Sequence, residues 1–300
     1  MKRKVIKLAQ QTLVVSLPAA WCKSNGIRKG DEVDCQEKRG SIIFASSSRP
    51  SVSEAQFDGD ALGILSKRAL YELYHAGVDK VTVRAARKQT LQVVNDTLNQ
   101  LLGYHVVERR GEHLVIEDLG KNDHDLDLLL RRFLLLIKTL VQEGVTALEQ
   151  KKYDDLGIPW ERDTDVNKLA HLCIRILSKN VHIPTDHAAR MHTLIYQGEQ
   201  LADEYKLVMR ALQENTAQIP RALDAVRSAA RLYDAAYQYV FQRSRMNAQA
   251  VAAANDHARR ALQQLGSNVA FGHLDSFVKK AVSIQELFLH QMQDVHHGPP

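Results

Sequence analysis

The sequence predicts a multidomain α+β protein: a small β module at the N-terminus, a compact α/β unit in the middle and an all-helical C-terminal body. Three observations carry this prediction. Over the first 48 positions apolar residues alternate or gather in short runs, the pattern of strands. Between 59 and 119 helical and strand periods alternate in the order α-β-α-β-β. From Asp123 onward apolar residues recur at steps of three and four, and prolines fall only at 159, 184, 220 and the extreme tail. Each of the first three of these prolines starts a helix, where a missing N–H costs nothing.

In the N-terminal module, Val5-Lys7-Ala9 alternate and Leu13-Val14-Val15 condense, predicting two strands. Pro18 suits the first turn of a short helix, and Asn25-Gly26 supplies the left-handed residue that ends it. Gly30-Asp31 turns the chain. Val33 to Glu37 and Ser41 to Ala45 then pair around Arg39-Gly40, a dipeptide suited to a tight turn. The expected order is β, β, short helix, β, β.

Charge is concentrated in the same stretch. Residues 1 to 48 hold nine Lys and Arg against four acids, a net of +5, which equals the formal charge of the whole chain. The other 252 residues therefore balance. Lys2, Arg3, Lys4 and Lys7 crowd onto the first strand, with Lys23 on the short helix; such a concentration of unbalanced cations is a footprint for nucleic-acid phosphates. A solvated basic terminus is the plain alternative.

Leu17-Pro18, Trp21, Gly26-Ile27, Lys29-Gly30-Asp31-Glu32-Val33 and Gly40-Ser41-Ile42-Ile43 together resemble the AbrB/SpoVT swapped-hairpin family of DNA-binding domains. The resemblance implies that two chains interleave hairpins into one β-barrel, because a 48-residue copy buries too little apolar surface to fold alone. It also implies a homodimer bound to promoter DNA through Lys2, Arg3, Lys4, Lys7 and Lys23. At Gln10-Gln11-Thr12 the chain departs from the glycine that members of this family commonly carry in the first turn.

Cys22, Cys35 and Cys173 are odd in number, widely spaced and form no CxxC, which argues against a disulfide framework or zinc cage and for a cytoplasmic protein. Lys7, Gln10 and Gln11 interrupt the apolar run after Lys2-Arg3-Lys4, so no secretory leader is expected. The greasiest later run, Leu126 to Val141, is cut by Arg131, Arg132 and Lys138, too often for a membrane span.

The organisation reads as 1–48 for the DNA-binding and dimerisation unit, 49–58 for a Ser/Pro-rich linker, 59–120 for the α/β unit and 121–296 for the helical body. In the α/β unit, Leu62, Leu65, Ala69, Leu70, Leu73 and Tyr74 recur at helical spacing and Val81-Thr82-Val83 alternates. A helix from about Gln89 to Leu102 follows, and strands at 104–108 and 114–117 pair across Arg110-Gly111. No phosphate loop, paired catalytic carboxylates or nucleophile with a base appears, so no enzyme is expected. In the body, helices of roughly 123 to 153, 161 to 182 and 185 to 216 form a three-helix bundle, and stretches of about 220 to 265 and 272 to 294 form an incomplete second one. The histidines are scattered through polar helix positions and are expected at the surface.

Glu199 and Asp203, in GEQLADEY, lie one turn apart on one flank of their helix, where two carboxylates can share a cation. Asp163 and Asn167 repeat the spacing on the preceding helix. The two pairs either converge in the intervening groove or point apart, depending on helix order. Glu199-Gln-Leu-Ala-Asp203 resembles the E-x-x-x-D signature of PhoU, the phosphate-uptake regulator, and Asp163-Thr-Asp-Val-Asn167 resembles its companion with Asn in place of the second acid. That resemblance implies iron or zinc at Asp163, Asn167, Glu199 and Asp203, weakened by the lost charge at 167.

Tyr74, Gly77, Asp79 and Leu102-Gly103 carry a further likeness in the middle unit. In this order the three units resemble the archaeal-type phosphate-uptake regulators. The resemblance implies a transcriptional regulator of phosphate acquisition. The competing expectation is a PhoU-like adaptor that docks on a phosphate-transporter ATPase or sensor kinase without using DNA.

Overall fold

The computed structural model describes residues 2–8, 11–38, 41–46, 53–120, 125–180, 183–266 and 268–289. In the N-terminal unit β1 (Val5–Lys7) pairs antiparallel with β2 (Leu13–Val15), setting Val5 opposite Val15 and Lys7 opposite Leu13. A one-and-a-half-turn helix, α1 (Ala19–Ser24), follows Pro18 and stops at Asn25, with Gly26 at φ +66°. β3 (Val33–Lys38) and β4 (Ser41–Ser46) form a second antiparallel ladder. Among the described residues the two ladders stay separate, so one chain closes no barrel. No described residue of this unit is buried, and Val5, Leu13 and Leu8 are 65%, 68% and 72% exposed. The strands are where the apolar pattern and the turn residues placed them, but among the described residues a single copy has no core.

The middle unit opens earlier than expected. Residues 54 to 58, expected to belong to a linker, form β5 (Glu54–Asp58), which pairs in parallel with β6 (Lys80–Arg84). The alternation is present in the sequence: Ala55 and Phe57 are partly covered while Glu54, Gln56 and Asp58 are exposed. Serines and Pro50 just upstream mask it. Asp58 then caps α2 (Gly59–Leu62) by accepting the Ala61 N–H at 3.0 Å. α3 (Ser66–His75), α4 (Lys88–Leu98), β7 (Tyr104–Arg110) and β8 (His113–Asp118) complete a sheet ordered β5-β6-β8-β7. The order is thus β-α-β-α-β-β rather than α-β-α-β-β. Its core is Leu70, Tyr74, Val81, Val83, Val94 and Ile116.

Among the described residues six helices make up the body: α5 (Leu126–Glu149), α6 (Ile158–Lys179), α7 (Thr185–Glu214), α8 (Ile219–Phe241), α9 (Arg245–Leu265) and α10 (Phe271–Glu286). Pro159 and Pro220 occupy first turns and Pro184 the cap of α7, so the proline reading holds. The expected continuous stretch from 220 to 265 is two helices: the chain leaves helical geometry at Gln242, and the Ser244 side chain accepts the Asn247 N–H to start the next. The expected division into two bundles also fails. One apolar core runs from Leu126 to Phe288 through all six helices. α8 and α10 close onto the first three: the Tyr233 hydroxyl donates to the Leu134 carbonyl at 2.9 Å, and Phe277 lies against Tyr205 and Tyr233.

Close helix approach depends on two glycines. A Cβ on Gly198 of α7 would lie 2.7 Å from Phe133 Cε1, and one on Gly144 of α5 would lie 2.8 Å from Tyr205 Cε1. Among the described residues no helix is long and apolar enough to cross a membrane.

Candidate functional site

Lys2, Arg3 and Lys4 lie on the segment leading into β1, Lys7 ends that strand, and all four are exposed. Lys23 is exposed in the last turn of α1. Among the described residues none of the five makes an ion pair or a side-chain hydrogen bond. Several cations elsewhere are ion-paired: Arg84 by Asp58 and Glu112, Lys138 by Asp234, Arg227 by Glu149. The segment from Lys2 to Lys7 is therefore a source of uncompensated positive potential. Lys23 stands on a separate element.

The acidic pairs are more occupied than their spacing suggested. Asp203 accepts the Lys206 ammonium at 2.6 Å, and Glu199 accepts the Gln200 amide at 3.2 Å. Asn167 is half-buried on α6. The side chain of Asp163 lies outside the described residues. Among the described residues no three side chains of the His, Cys, Asp and Glu types are grouped to hold a metal ion.

The next acid, Glu204, lies outside the paired acidic spacing. Glu204 pairs with His273 Nδ1 at 2.7 Å and accepts the Ser276 hydroxyl at 2.7 Å and the Lys280 ammonium at 3.4 Å, tying α7 to α10. Burial opposes its ionisation, but these three donors outweigh burial and hold the carboxyl below its ordinary range.

The densest polar cluster joins the middle unit to the helical body, and periodicity gave no sign of it either. Arg175 of α6 is 2% exposed. Its guanidinium donates from Nη2 to Asp118 at 2.7 Å and to Asp79 at 3.2 Å, and from Nη1 to the Tyr74 carbonyl at 2.9 Å. The Tyr74 and Tyr104 rings flank it at 4.8 and 5.1 Å from Cζ. Lys179, one turn on, reaches Asp79 at 2.5 Å. Burial pushes the Tyr104 hydroxyl up to about 12, against the opposing pull of Arg175. Two glycines make room for the cluster: Gly77 (φ +81°), where a Cβ would lie 2.7 Å from Lys179 Cγ, and Gly103 (φ +93°), where it would meet the Asp118 carboxylate. Tyr74, Gly77, Asp79 and Gly103 thus all border this contact.

Two histidines complete it. His75 Nε2 faces His171 Nδ1 at 2.9 Å across α3 and α6, and Tyr71 stacks on His171 with ring centroids 4.5 Å apart. Both imidazoles are half-buried, not at the surface as expected. Burial pushes His171 down to about 4, helped by His75 and Lys67, and burial lowers His75 as well. Neither change of environment is visible in a single helix's periodicity.

No family model, no curated protein and no solved structure matches this chain.

Proposed function

We propose that this protein is a dimeric DNA-binding regulator of transcription that acts on phosphate uptake, with the helical body serving as its sensor or partner-docking part. The observation that carries the reading is the confinement of the chain's entire formal excess of +5 to residues 1 to 48, with Lys2, Arg3, Lys4 and Lys7 on one exposed segment. Exposed cations that no carboxylate of the chain engages are available to neutralise phosphates, and four of them share this segment.

The lack of a core in that unit supports the dimer. Hairpins with Val5, Ile6, Leu13 and Ile42 more than half exposed need a second surface to bury them, and an identical hairpin from another chain supplies one. Interleaving two copies into the barrel that the AbrB/SpoVT resemblance implies closes both ladders' free edges. The phosphate assignment rests on the resemblance in the order of the three units. The adaptor reading keeps the same dimer and body and uses no DNA.

Titration of the purified full chain onto promoter fragments of phosphate-transport genes, at several salt concentrations, separates the two. Specific binding with a steep salt dependence is expected; binding no tighter to promoters than to unrelated duplex, with a partner ATPase or kinase captured instead, would favour the adaptor.

A further inference from the structure

We propose that the cavity at one end of the helical body, between α5, α7, α8 and the chain just after α10, is a binding site for an amphipathic monoanion: a carboxylate that carries an apolar tail. The inference stands apart from the DNA-binding reading.

The cavity measures about 560 Å³, within the range of small-molecule sites. Helical spacing builds its walls. Leu130 and Leu134 lie one turn apart on α5, Met191 and Leu194 one turn apart on α7, and Val240 and Phe288 close it from α8 and from beyond α10. All six side chains are buried.

Charge sits at the rim. Arg131 of α5 and Arg243, between α8 and α9, both line the cavity, and each guanidinium lies over a phenylalanine ring. Arg131 Cζ is 4.1 Å from the Phe241 centroid, and Arg243 Cζ is 4.4 Å from that of Phe288. A guanidinium seated on a ring keeps N–H donors for a carboxylate. Among the described residues the Arg131 side chain makes no ion pair or hydrogen bond. Two acids share the rim, and both are engaged. Asp125 caps α5, accepting the N–H groups of Asp127 at 2.9 Å and Leu128 at 3.3 Å, and Asp127 is a charge neighbour of Arg243. Burial, with Arg190 nearby, disfavours the Arg243 charge more than Tyr239 and Asp127 favour it, so an arriving anion relieves a cation already short of compensation. His187 adds a ring nitrogen from the first turn of α7, whose cap position holds Pro184 and offers the helix N-terminus no side-chain acceptor.

Size and polarity together select the ligand class. Inorganic phosphate would shed its water against aliphatic walls for few donors, and a neutral apolar molecule would leave the arginines unused. A tailed carboxylate answers both: its head accepts from Arg131 and Arg243, and its tail covers the leucine, methionine and phenylalanine surface. Each methylene taken out of water is worth about fourfold in affinity.

The test is calorimetric titration of the full chain with octanoate, butanoate and octanol. Octanoate should bind once per chain, at least tenfold tighter than either of the others. Arg131→Gln should weaken octanoate at least tenfold, leave octanol unchanged and keep the parent's far-UV circular dichroism. In the parent, which needs no variant to fold, methyl-labelled methionine NMR should show octanoate moving the Met191 signal and not that of exposed Met246. No binding of octanoate at millimolar concentration, equal affinity for octanoate and octanol, displacement of octanoate by millimolar inorganic phosphate, or an unmoved Met191 signal would overturn the proposal.

Discussion

Arg175 of α6 and Asp118 of β8 meet at 2.7 Å with side chains 2% and 8% exposed, a charge pair withdrawn from water at the seam between two units. Removing one member of such a pair leaves an uncompensated buried charge. Arg175→Ala is therefore expected to destabilise the protein by about 3 to 5 kcal/mol. Arg175→Lys should recover little of it, because a lysine offers neither the planar fork to Asp118, Asp79 and the Tyr74 carbonyl nor the same stacking between two tyrosine rings. Urea unfolding of the full chain measures this. A loss under 1 kcal/mol for both variants would mean that the pair contributes nothing beyond its desolvation cost.

The histidine pair makes the same seam acid-sensitive. Both imidazoles have folded-state pKa values below the ordinary 6.5, His171 at about 4. A group whose folded pKa is depressed favours its neutral form in the fold, so for these bases stability is fully present above pH 6.5. It is lost as pH falls from 6.5 toward 4, because the unfolded chain takes up protons that the folded chain does not. Denaturant midpoints measured between pH 7.5 and 4.5 should decline over that window. In His171→Gln the decline should be shallower; an identical slope would assign it to other groups.

Gly198→Ala tests the packing of α7 on α5. The added methyl meets Phe133, itself 0% exposed and unable to swing aside. The expected loss is about 1 to 3 kcal/mol, the range for overpacking a dense core. Alanine is otherwise the better helix former, by about 1 kcal/mol. A stabilised variant would show that the helices separate without penalty.

For the N-terminal unit, the proposed dimer on DNA sets a quantitative expectation. Each phosphate neutralised contributes about 0.9 to the slope of log affinity against log salt. A dimer carries every substitution twice, so Lys4→Ala should lower the slope magnitude by up to about two. Arg3→Ala should also relax sequence preference if its guanidinium grips a guanine edge, at about 1 to 3 kcal/mol per site. Filter binding on one promoter fragment and one scrambled duplex reads both. Slope and affinity unchanged in all of Lys2, Arg3, Lys4 and Lys7 to Ala would remove DNA from the function.

A fragment of residues 1 to 48 offers a simpler check on assembly. With no described residue buried in one copy, it should sediment as a folded dimer at micromolar concentration. A folded monomer would contradict the need for a partner hairpin.

Much of the fold is legible in local sequence pattern. Alternation, short apolar runs and turn dipeptides locate β1 to β4 and β6 to β8, period 3.6 locates most of the helices, and Pro159, Pro184 and Pro220 mark three helix starts, because strand and helix formation and proline's missing N–H are local properties. β5 escapes that reading because five residues with two modest apolar members, Ala55 and Phe57, carry little signal beside a serine-rich run. The acidic positions Glu199 and Asp203 are visible as a pair, but nothing in their spacing singles out Lys206 and Gln200 as their partners.

What the sequence determined by itself was where most of the elements lie, which face of the long helices is apolar, and that the chain's net charge is confined to its first 48 residues. Tertiary structure alone decided what covers those faces: that α8 and α10 close onto α5 and α7 in one core, that Glu204 and not Asp203 turns to α10, and that Arg175, His75 and His171 leave water at the seam with the middle unit. The reason is physical. Hydrophobic periodicity records that a face is buried, and burial is non-directional, so it cannot record by what; hydrogen bonds and ion pairs between residues 57 to 101 positions apart depend on where the helices are placed.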